Sequence, residues 1–495
     1  MGVFLKQSFW SSLIIYFGVI IGFINSLILF PKYLNTEQIG LLRQIISAAT
    51  LLLPLSAFGI SATAIKFYPE FSLDKKSKNQ FFSIQLLLTI IGFFSVLIII
   101  FYFFPLISEF FSKKSELIIN YFDVIIFILL LLTISTIFEA YLRARMHIIL
   151  PNITNGVLNR ILTGSSILLL SASLISFNEM IYLQIPIYAL GVIILIIFSY
   201  KKERFKLDFH LDKIKNKIKD IFNYNLYSLI SGFGNVIILN VDILMISALL
   251  GLSDTGIYTT AFYIGIIIEM PRRAVSQIST PILSKLFRNK DLNSINYNYK
   301  MVSINQLIIG MLLFLLIITN LNNIYNLIPN NQNFISGIGV VPIICLAKLI
   351  TMSSSFSSEL IMMSKHYKFS VTSIIFLAII TILSNYFLIP KFGINGAAYA
   401  ALISSIGFNL TKTIFIYFKF GFFPFSKNTF IVLILGIIIY LIIKQFSIID
   451  NIIIEIITKS LIITTLFILP IYFLNVSQEF NRIIKRYINK KNLKP

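Results

Sequence analysis

The sequence predicts an all-α polytopic membrane protein, and three observations carry that expectation. The 495 residues are 57% hydrophobic and only 12% charged, with a mean hydropathy of +0.88. A water-soluble chain of this length uses about 25% charged residues to cover its surface, so most of this one's exterior must face something other than water. Apolar runs long enough to cross about 30 Å of hydrocarbon recur about fourteen times. Basic residues gather in alternate loops between those runs, as membrane topology requires.

Taken in order, the candidate spans are 8–30, 41–66, 81–106, 119–146, 152–173, 179–200 and 223–250. The second half follows with 255–287, 301–320, 335–363, 368–389, 396–419, 429–446 and 452–475. The first run is too long for the apolar core of a cleavable signal and reads as a signal anchor. With the N-terminus in the cytoplasm, 29 of the 41 lysines and arginines fall on the cytoplasmic side and seven on the other. Both termini are therefore expected in the cytoplasm, with the protein multi-pass in the membrane.

Two basic stretches interrupt the rhythm. Residues 201–222 form a basic cytoplasmic connector near the midpoint, with Lys213, Lys215, Lys217 and Lys219. Its expected form is an interfacial basic helix on anionic lipid. Residues 476–495 are a basic cytoplasmic tail. The net charge of +21 follows from these loops, so nucleic acid is not an expected partner. A single cysteine, Cys345, and three scattered histidines leave no disulfide framework, no CxxC site and no metal-ligand spacing. No GxxxxGK[ST] phosphate loop is present, and no cofactor is expected.

A repeat joins the halves. Leu34-Asn-Thr-Glu-Gln-Ile-Gly40 and Leu250-Gly-Leu-Ser-Asp-Thr-Gly256 are short polar turns that end in Gly before an apolar helix, offset by 216 residues. Pro54 follows the first glycine by fourteen residues and Pro271 follows the second by fifteen. Met146-His147 and Lys365-His366 match at a nearly equal offset. A duplicated six-helix unit explains all three, and because six is even both copies insert the same way up. The expected organisation is a six-helix bundle at 1–200, the connector, a second bundle at 223–419, and two further helices within 429–475. Helices interrupted at matching positions of two repeats point to a binding site, here at Pro54 and Pro271, although such kinks also serve packing alone.

Glu269-Met270-Pro271-Arg272-Arg273 lies midway along 255–287, near the midplane of a spanning helix. Charges there cost about 2.5–3.5 kcal/mol each on insertion scales and normally face a cavity or a partner. Adjacent residues point about 100° apart on a helix, so one of Arg272 and Arg273 faces a cavity centre. Glu269 has the spacing to pair with either arginine, and one carboxylate cannot neutralise both. Arg160, Lys348 and Lys412 are further cations inside apolar runs. Asp242 is the only acid within 223–250; it either binds a coupling proton or sodium ion or pairs with an arginine of 255–287. Arg43 and Lys66 sit at opposite ends of 41–66, as rim charges that guide a substrate or as snorkelling residues.

The turn Ile28-Leu-Phe-Pro-Lys-Tyr-Leu-Asn-Thr-Glu-Gln-Ile-Gly40 resembles the one after the first helix of bacterial polysaccharide flippases. The small-residue stretch Ser56-Ala-Phe-Gly-Ile-Ser-Ala-Thr63, leading to Lys66-Phe-Tyr-Pro-Glu70, is also similar to that family. The resemblance covers topology over the whole chain and local pattern mainly over 1–70 and 245–290. It implies the multidrug/oligosaccharidyl-lipid/polysaccharide exporter superfamily, with two six-helix bundles around a central cavity plus two C-terminal helices. It also implies a bacterial cytoplasmic-membrane flippase for undecaprenyl-pyrophosphate-linked O-antigen, capsule or exopolysaccharide repeat units, with no catalytic residues. Membrane lipid, a polysaccharide polymerase and other assembly proteins are the further partners implied.

On that expectation Arg272, Arg273, Glu269, Arg43, Lys66 and Lys348 bind the substrate, because a guanidinium grips pyrophosphate bidentately and stays charged. Asp242 would couple transport to an ion. Two alternatives stand beside it. A multidrug antiporter of the same superfamily would need buried acids, of which only Asp242, Glu269 and Glu359 qualify. A membrane polymerase or glycosyltransferase would need a sizeable external loop, and the longest one expected is about 15 residues.

Overall fold

The computed structural model describes residues 2–145, 147–203, 205–354, 356–444 and 451–482. Side chains are described except those of residues 2–9, 12, 203, 273, 274, 277, 278, 280–282, 284 and 367. Among these residues every regular element is helical. The first half contains α1 (Gly2–Ile24), α2 (Thr36–Ser56), α3 (Ile60–Phe71), α4 (Lys75–Ser112), α5 (Phe122–Ala144), α6 (Asn159–Ser171) and α7 (Gln184–Glu203). Then come α8 (Ile218–Leu249), α9 (Leu252–Gly265), α10 (Met270–Arg288), α11 (Leu292–Thr319), α12 (Val340–Ser353) and α13 (Ser357–Met363). The last are α14 (Tyr367–Phe392), α15 (Ile394–Phe420), α16 (Lys427–Lys444) and α17 (Ile452–Phe473).

Twelve helices among the described residues are long and apolar enough to cross a membrane. The two expected spans not among them, 152–173 and 255–287, each contain an interruption. The run 152–173 holds a π-helical stretch, Thr154–Leu158, ahead of α6. The run 255–287 is cut by a 3₁₀ turn, Ile266–Glu269, with Pro271 starting α10. Proline cannot donate to the turn before it and is tolerated where a helix begins, so the chain restarts its ladder there. Pro54, in contrast, stays inside α2. The break comes after it, where Phe58 and Gly59 take left-handed φ of 49° and 72° before α3 starts.

Close contacts divide the chain into two compact units, Met1–Thr259 with Ala378–Ile394 and Thr260–Leu377 with Asn395–Pro495. In the first, α2 packs most extensively on α8, and α5 packs on α2, α3 and α7. A buried aromatic cluster, Tyr68, Phe71, Phe81, Phe82 and Tyr141, closes one end of it. Small residues let backbones meet elsewhere, as is usual between membrane helices. Gly18 lies against the backbone of Gly156, and Gly164 against Asn25.

The repeat seen in the sequence appears here as contact. Gly40 packs on the carbonyl of Leu252 and Gly256 on the carbonyl of Thr36. Each glycine thus meets the residue four before the other, the reciprocity that a local twofold axis produces. Thr36 Oγ1 and Ser253 Oγ share a 2.7 Å hydrogen bond beside the crossing.

The connector differs from expectation. Residues 205–211 run without helix, and only Lys215–Lys217 form a short 3₁₀ turn before α8. The segment is a strap rather than a helix because α4 supplies partners for its backbone. Asn79 Oδ1 accepts from the Lys206 N–H (3.2 Å), Ser83 Oγ from the Asp208 N–H (2.7 Å) and Gln80 Oε1 from the Lys213 N–H (2.9 Å). The Phe205 ring stacks on Phe82 at 4.3 Å, and Ile214 is fully buried. Lys76 Nζ lies 2.8 Å from Asp212, and this ammonium with the Gln80 amide lowers the Asp212 carboxyl to about 2. That tie stays ionised at neutral pH.

In the second unit α11 forms the centre, packed on α12, α16 and α17 around Leu307, Met311, Leu349, Val432 and Phe467. A second cluster, Leu283, Tyr299, Leu360 and Ile416, joins α10, α11, α13 and α15. The expected single span 335–363 is broken between α12 and α13 within a serine-rich stretch.

A Cβ added at Gly40 would lie 1.8 Å from the Leu252 carbonyl oxygen. Gly40→Ala should therefore destabilise the purified protein by about 1–3 kcal/mol, the usual cost of overpacking. Gly407→Ala, which meets nothing within 4 Å, should leave the thermal unfolding midpoint unchanged or higher.

Candidate functional site

The described charged side chains of the broken helix, Glu269 and Arg272, lie in the second unit with ion-pair partners from α12 and α13. Gly265 ends α9 in close contact with Ile344 and the Cys345 backbone of α12. One turn further on, Glu269 and Lys348 meet, with Lys348 Nζ 2.9 Å from Glu269 Oε2. The other oxygen, Oε1, accepts from Arg272 Nη1 at 3.0 Å. Glu269 is thus shared by a cation three residues along its own chain and a cation from α12.

Arg272 also reaches Glu359 at the start of α13, with Nη2 3.8 Å from Oε1. The same oxygen accepts a short hydrogen bond from Ser276 Oγ, one turn along α10 from Arg272. Glu359 is nine-tenths buried, and its second oxygen, Oε2, makes no hydrogen bond to protein.

A polar seam then runs between α12–α13 and α15. Thr351 pairs with Ser405 (2.9 Å), Ser354 with Asn409 (2.7 Å), and Lys412 Nζ donates to Ser358 Oγ (2.7 Å). These pairs step along both elements in one direction at nearly constant separation in sequence, so the seam is a register of two parallel chains. Lys412 is almost fully buried, with its ammonium 3.2 Å from the centre of the Phe408 ring. Cation–π attraction is stronger where water is excluded.

The described cluster holds two carboxylates, Glu269 and Glu359, against three cations, Arg272, Lys348 and Lys412. Fully ionised, it carries one positive charge in surplus. The side chains of Glu269, Arg272 and Lys348 retain 15–21% exposure, so the cluster is sheltered without being sealed. Electrostatic attraction for an anion is greatest in such a place, since the effective dielectric is low and an approach remains open.

Of the residues expected from the sequence, Glu269, Arg272 and Lys348 come together. Arg273 lies in α10 with its side chain outside the described residues. Arg43, Lys66 and Asp242 belong to the first unit, each in a setting of its own. Arg43 donates to Ser26 Oγ (2.7 Å), with its guanidinium 4.9 Å from the Phe30 ring. Lys66 is exposed and rests 3.8 Å above the Tyr224 ring. Asp242 is buried and accepts from Tyr258 Oη at 2.5 Å.

Sequence reasoning gave no binding role to Glu359 or Lys412, and none at all to Ser276. The available signal for Glu359 was the serine-rich run 353–358, since serines favour a helix break; Lys412 was legible only as a cation inside an apolar run.

Removing Glu269 alone takes a carboxylate from both Lys348 and Arg272, whereas removing it with Lys348 leaves only Arg272 short of one. Glu269→Gln and Lys348→Met should each lower thermal stability, and the double variant should lose less than their sum. A coupling of about 1–3 kcal/mol is expected in a double-mutant cycle; additive losses would mean that the 2.9 Å contact contributes nothing.

The fold has known relatives. The lipid II flippase MurJ in an inward closed conformation superposes with a TM-score of 0.72 over 92% of this chain and 98% of that one, at 17% identity. An inward-facing multidrug resistance MATE family transporter of the MOP superfamily gives 0.63 over 90% and 96%, at 14% identity. A MOP superfamily transporter from Pyrococcus furiosus gives 0.57 over 84% and 96%, at 15% identity. No curated protein matches the chain in sequence. The family described as "Polysaccharide biosynthesis protein" matches residues 4–287, more than half of the chain. That match shows that the chain belongs to the polysaccharide biosynthesis protein family, and its fold is the one seen in transporters of the MOP superfamily.

Proposed function

We propose that the protein is a flippase that carries undecaprenyl-pyrophosphate-linked polysaccharide repeat units across the bacterial cytoplasmic membrane. The observation that supports this reading is the sheltered cluster of Glu269, Arg272, Lys348, Glu359 and Lys412, in which basic side chains outnumber acidic ones three to two. A lipid-linked oligosaccharide presents a pyrophosphate between an apolar tail and a polar sugar. The tail is already at home in the bilayer; the phosphates are what resist transfer, because charge in hydrocarbon is expensive. A cluster in which cations outnumber acids offsets that charge, and Arg272 offers it a planar pair of donors.

Transport proceeds by alternating access between two six-helix bundles, 1–200 and 223–419. The break after Pro54 and the 3₁₀ turn before Pro271 supply flexible points in the two repeats. Incoming phosphate competes with Glu269 and Glu359 for Arg272 and Lys348, so the carboxylates offset part of the site's positive charge when it is empty. Arg273 joins them, and Arg43 and Lys66 act as rim charges. Asp242, under the Tyr258 hydroxyl, is the candidate to bind a coupling cation. The termini and the basic connector lie on the cytoplasmic side, and no chemical step is assigned to the protein.

Deleting the gene should leave undecaprenyl-linked repeat units on the cytoplasmic face, and a plasmid copy should restore surface glycan. Arg272→Ala at normal membrane expression should reduce glycan export at least about tenfold, the cost of losing one charge-assisted bidentate contact. Unchanged glycan with heightened sensitivity to cationic dyes would instead indicate a multidrug antiporter.

A further inference from the structure

The connector strap has two edges with different chemistry. Its inner edge is tied to α4 through Asn79, Gln80 and Ser83. Its outer edge presents Leu207 and Phe209, 59% and 53% exposed, among the exposed lysines Lys206, Lys213 and Lys215. Exposed apolar side chains are ordinary on a helix that faces lipid, but this segment lies at the basic end of the unit.

The α4 ladder fixes the depth of that edge. Asp208 is bonded to Ser83, two residues past the point where the apolar run of α4 begins at Phe81. Leu87, the first strongly exposed apolar residue of α4, is one turn further, about 6 Å along the axis. Phe209 is therefore held near the start of the apolar run of α4, and the end of a membrane-spanning run is the level at which aromatic side chains sit in a bilayer. Lysines on a strap at that level face lipid phosphates.

We propose that the strap is a binding edge for anionic phospholipid in the cytoplasmic leaflet. Leu207 and Phe209 enter the headgroup layer, while Lys206, Lys213 and Lys215 hold the phosphates around them. Because Asn79, Gln80 and Ser83 take up the strap's backbone donors, the edge is preformed and loses little entropy on contact.

The test uses the full-length protein with its single tryptophan removed (Trp10→Phe) and a reporter introduced by Phe209→Trp. It is reconstituted in mixed phosphatidylcholine and phosphatidylglycerol bilayers, with either lipid brominated on its chains near the headgroup. Brominated phosphatidylglycerol should quench the reporter more than the brominated phosphatidylcholine at equal content, by about fivefold, the factor one surface lysine is worth on an anionic leaflet. Replacing Lys206, Lys213 and Lys215 by serine should level the two. A Leu207→Trp reporter guards against local disturbance, and an Ile90→Trp reporter on the lipid-facing side of α4 confirms insertion. Equal quenching by both lipids at both strap positions would overturn the proposal, as would access to aqueous iodide with quenching by neither. Shielding from iodide in native membranes but not in reconstituted bilayers would assign the edge to a protein partner and likewise reject the lipid.

Discussion

A single carboxylate, Glu269, carries the greatest electrostatic burden in the second unit. It receives a guanidinium from its own chain and an ammonium from α12, and without it both cations would be held inside apolar packing with one fewer counter-charge. Burying a charge is tolerable only when it is paired and hydrogen-bonded. That constraint explains much of the local architecture. The 3₁₀ turn before Pro271 presents Glu269 beside Arg272, the close approach of Gly265 to Ile344 brings Lys348 within reach, and the break before α13 delivers Glu359 to the far side of Arg272. Each feature breaks a regular helix or removes a side chain, and each serves the same group of charges.

The first unit shows the same fold grammar with different chemistry. There the break in the corresponding helix is made by Phe58 and Gly59 rather than at a proline, and no arginine sits next to it. The contact that records the repeat is uncharged: two glycines, each against the carbonyl four residues before the other. The glycine crossing thus lies in the first unit and the charged cluster in the second.

How much of this was legible in the sequence follows from the range of each interaction. Spans, basic loops and the Glu269–Arg272 pair are local, and periodicity and i,i+3 spacing reveal them. The glycine turns at Gly40 and Gly256 were visible as a repeat, but nothing in either turn says that the two touch. Lys348 could be named as an internal cation without a partner, because its partner lies 79 residues earlier. Glu359 and Lys412 could likewise be named as charges inside apolar runs, but nothing local places them beside Arg272. The connector was expected as an interfacial helix because it is a basic stretch between two spans, while the side chains that hold it extended belong to α4. Tertiary partners overrode local pattern in each of these cases.

The central claim is that the cluster around Arg272 recognises pyrophosphate. The most direct measurement is equilibrium binding of a short-chain prenyl pyrophosphate and of the matching prenyl alcohol to the purified full-length protein and to Arg272→Gln. The account predicts that the wild-type protein binds the pyrophosphate at least about tenfold more tightly than the alcohol, as expected for charge-assisted hydrogen bonds, and that Arg272→Gln removes most of the difference. Equal affinity for the two ligands in the wild-type protein would contradict it.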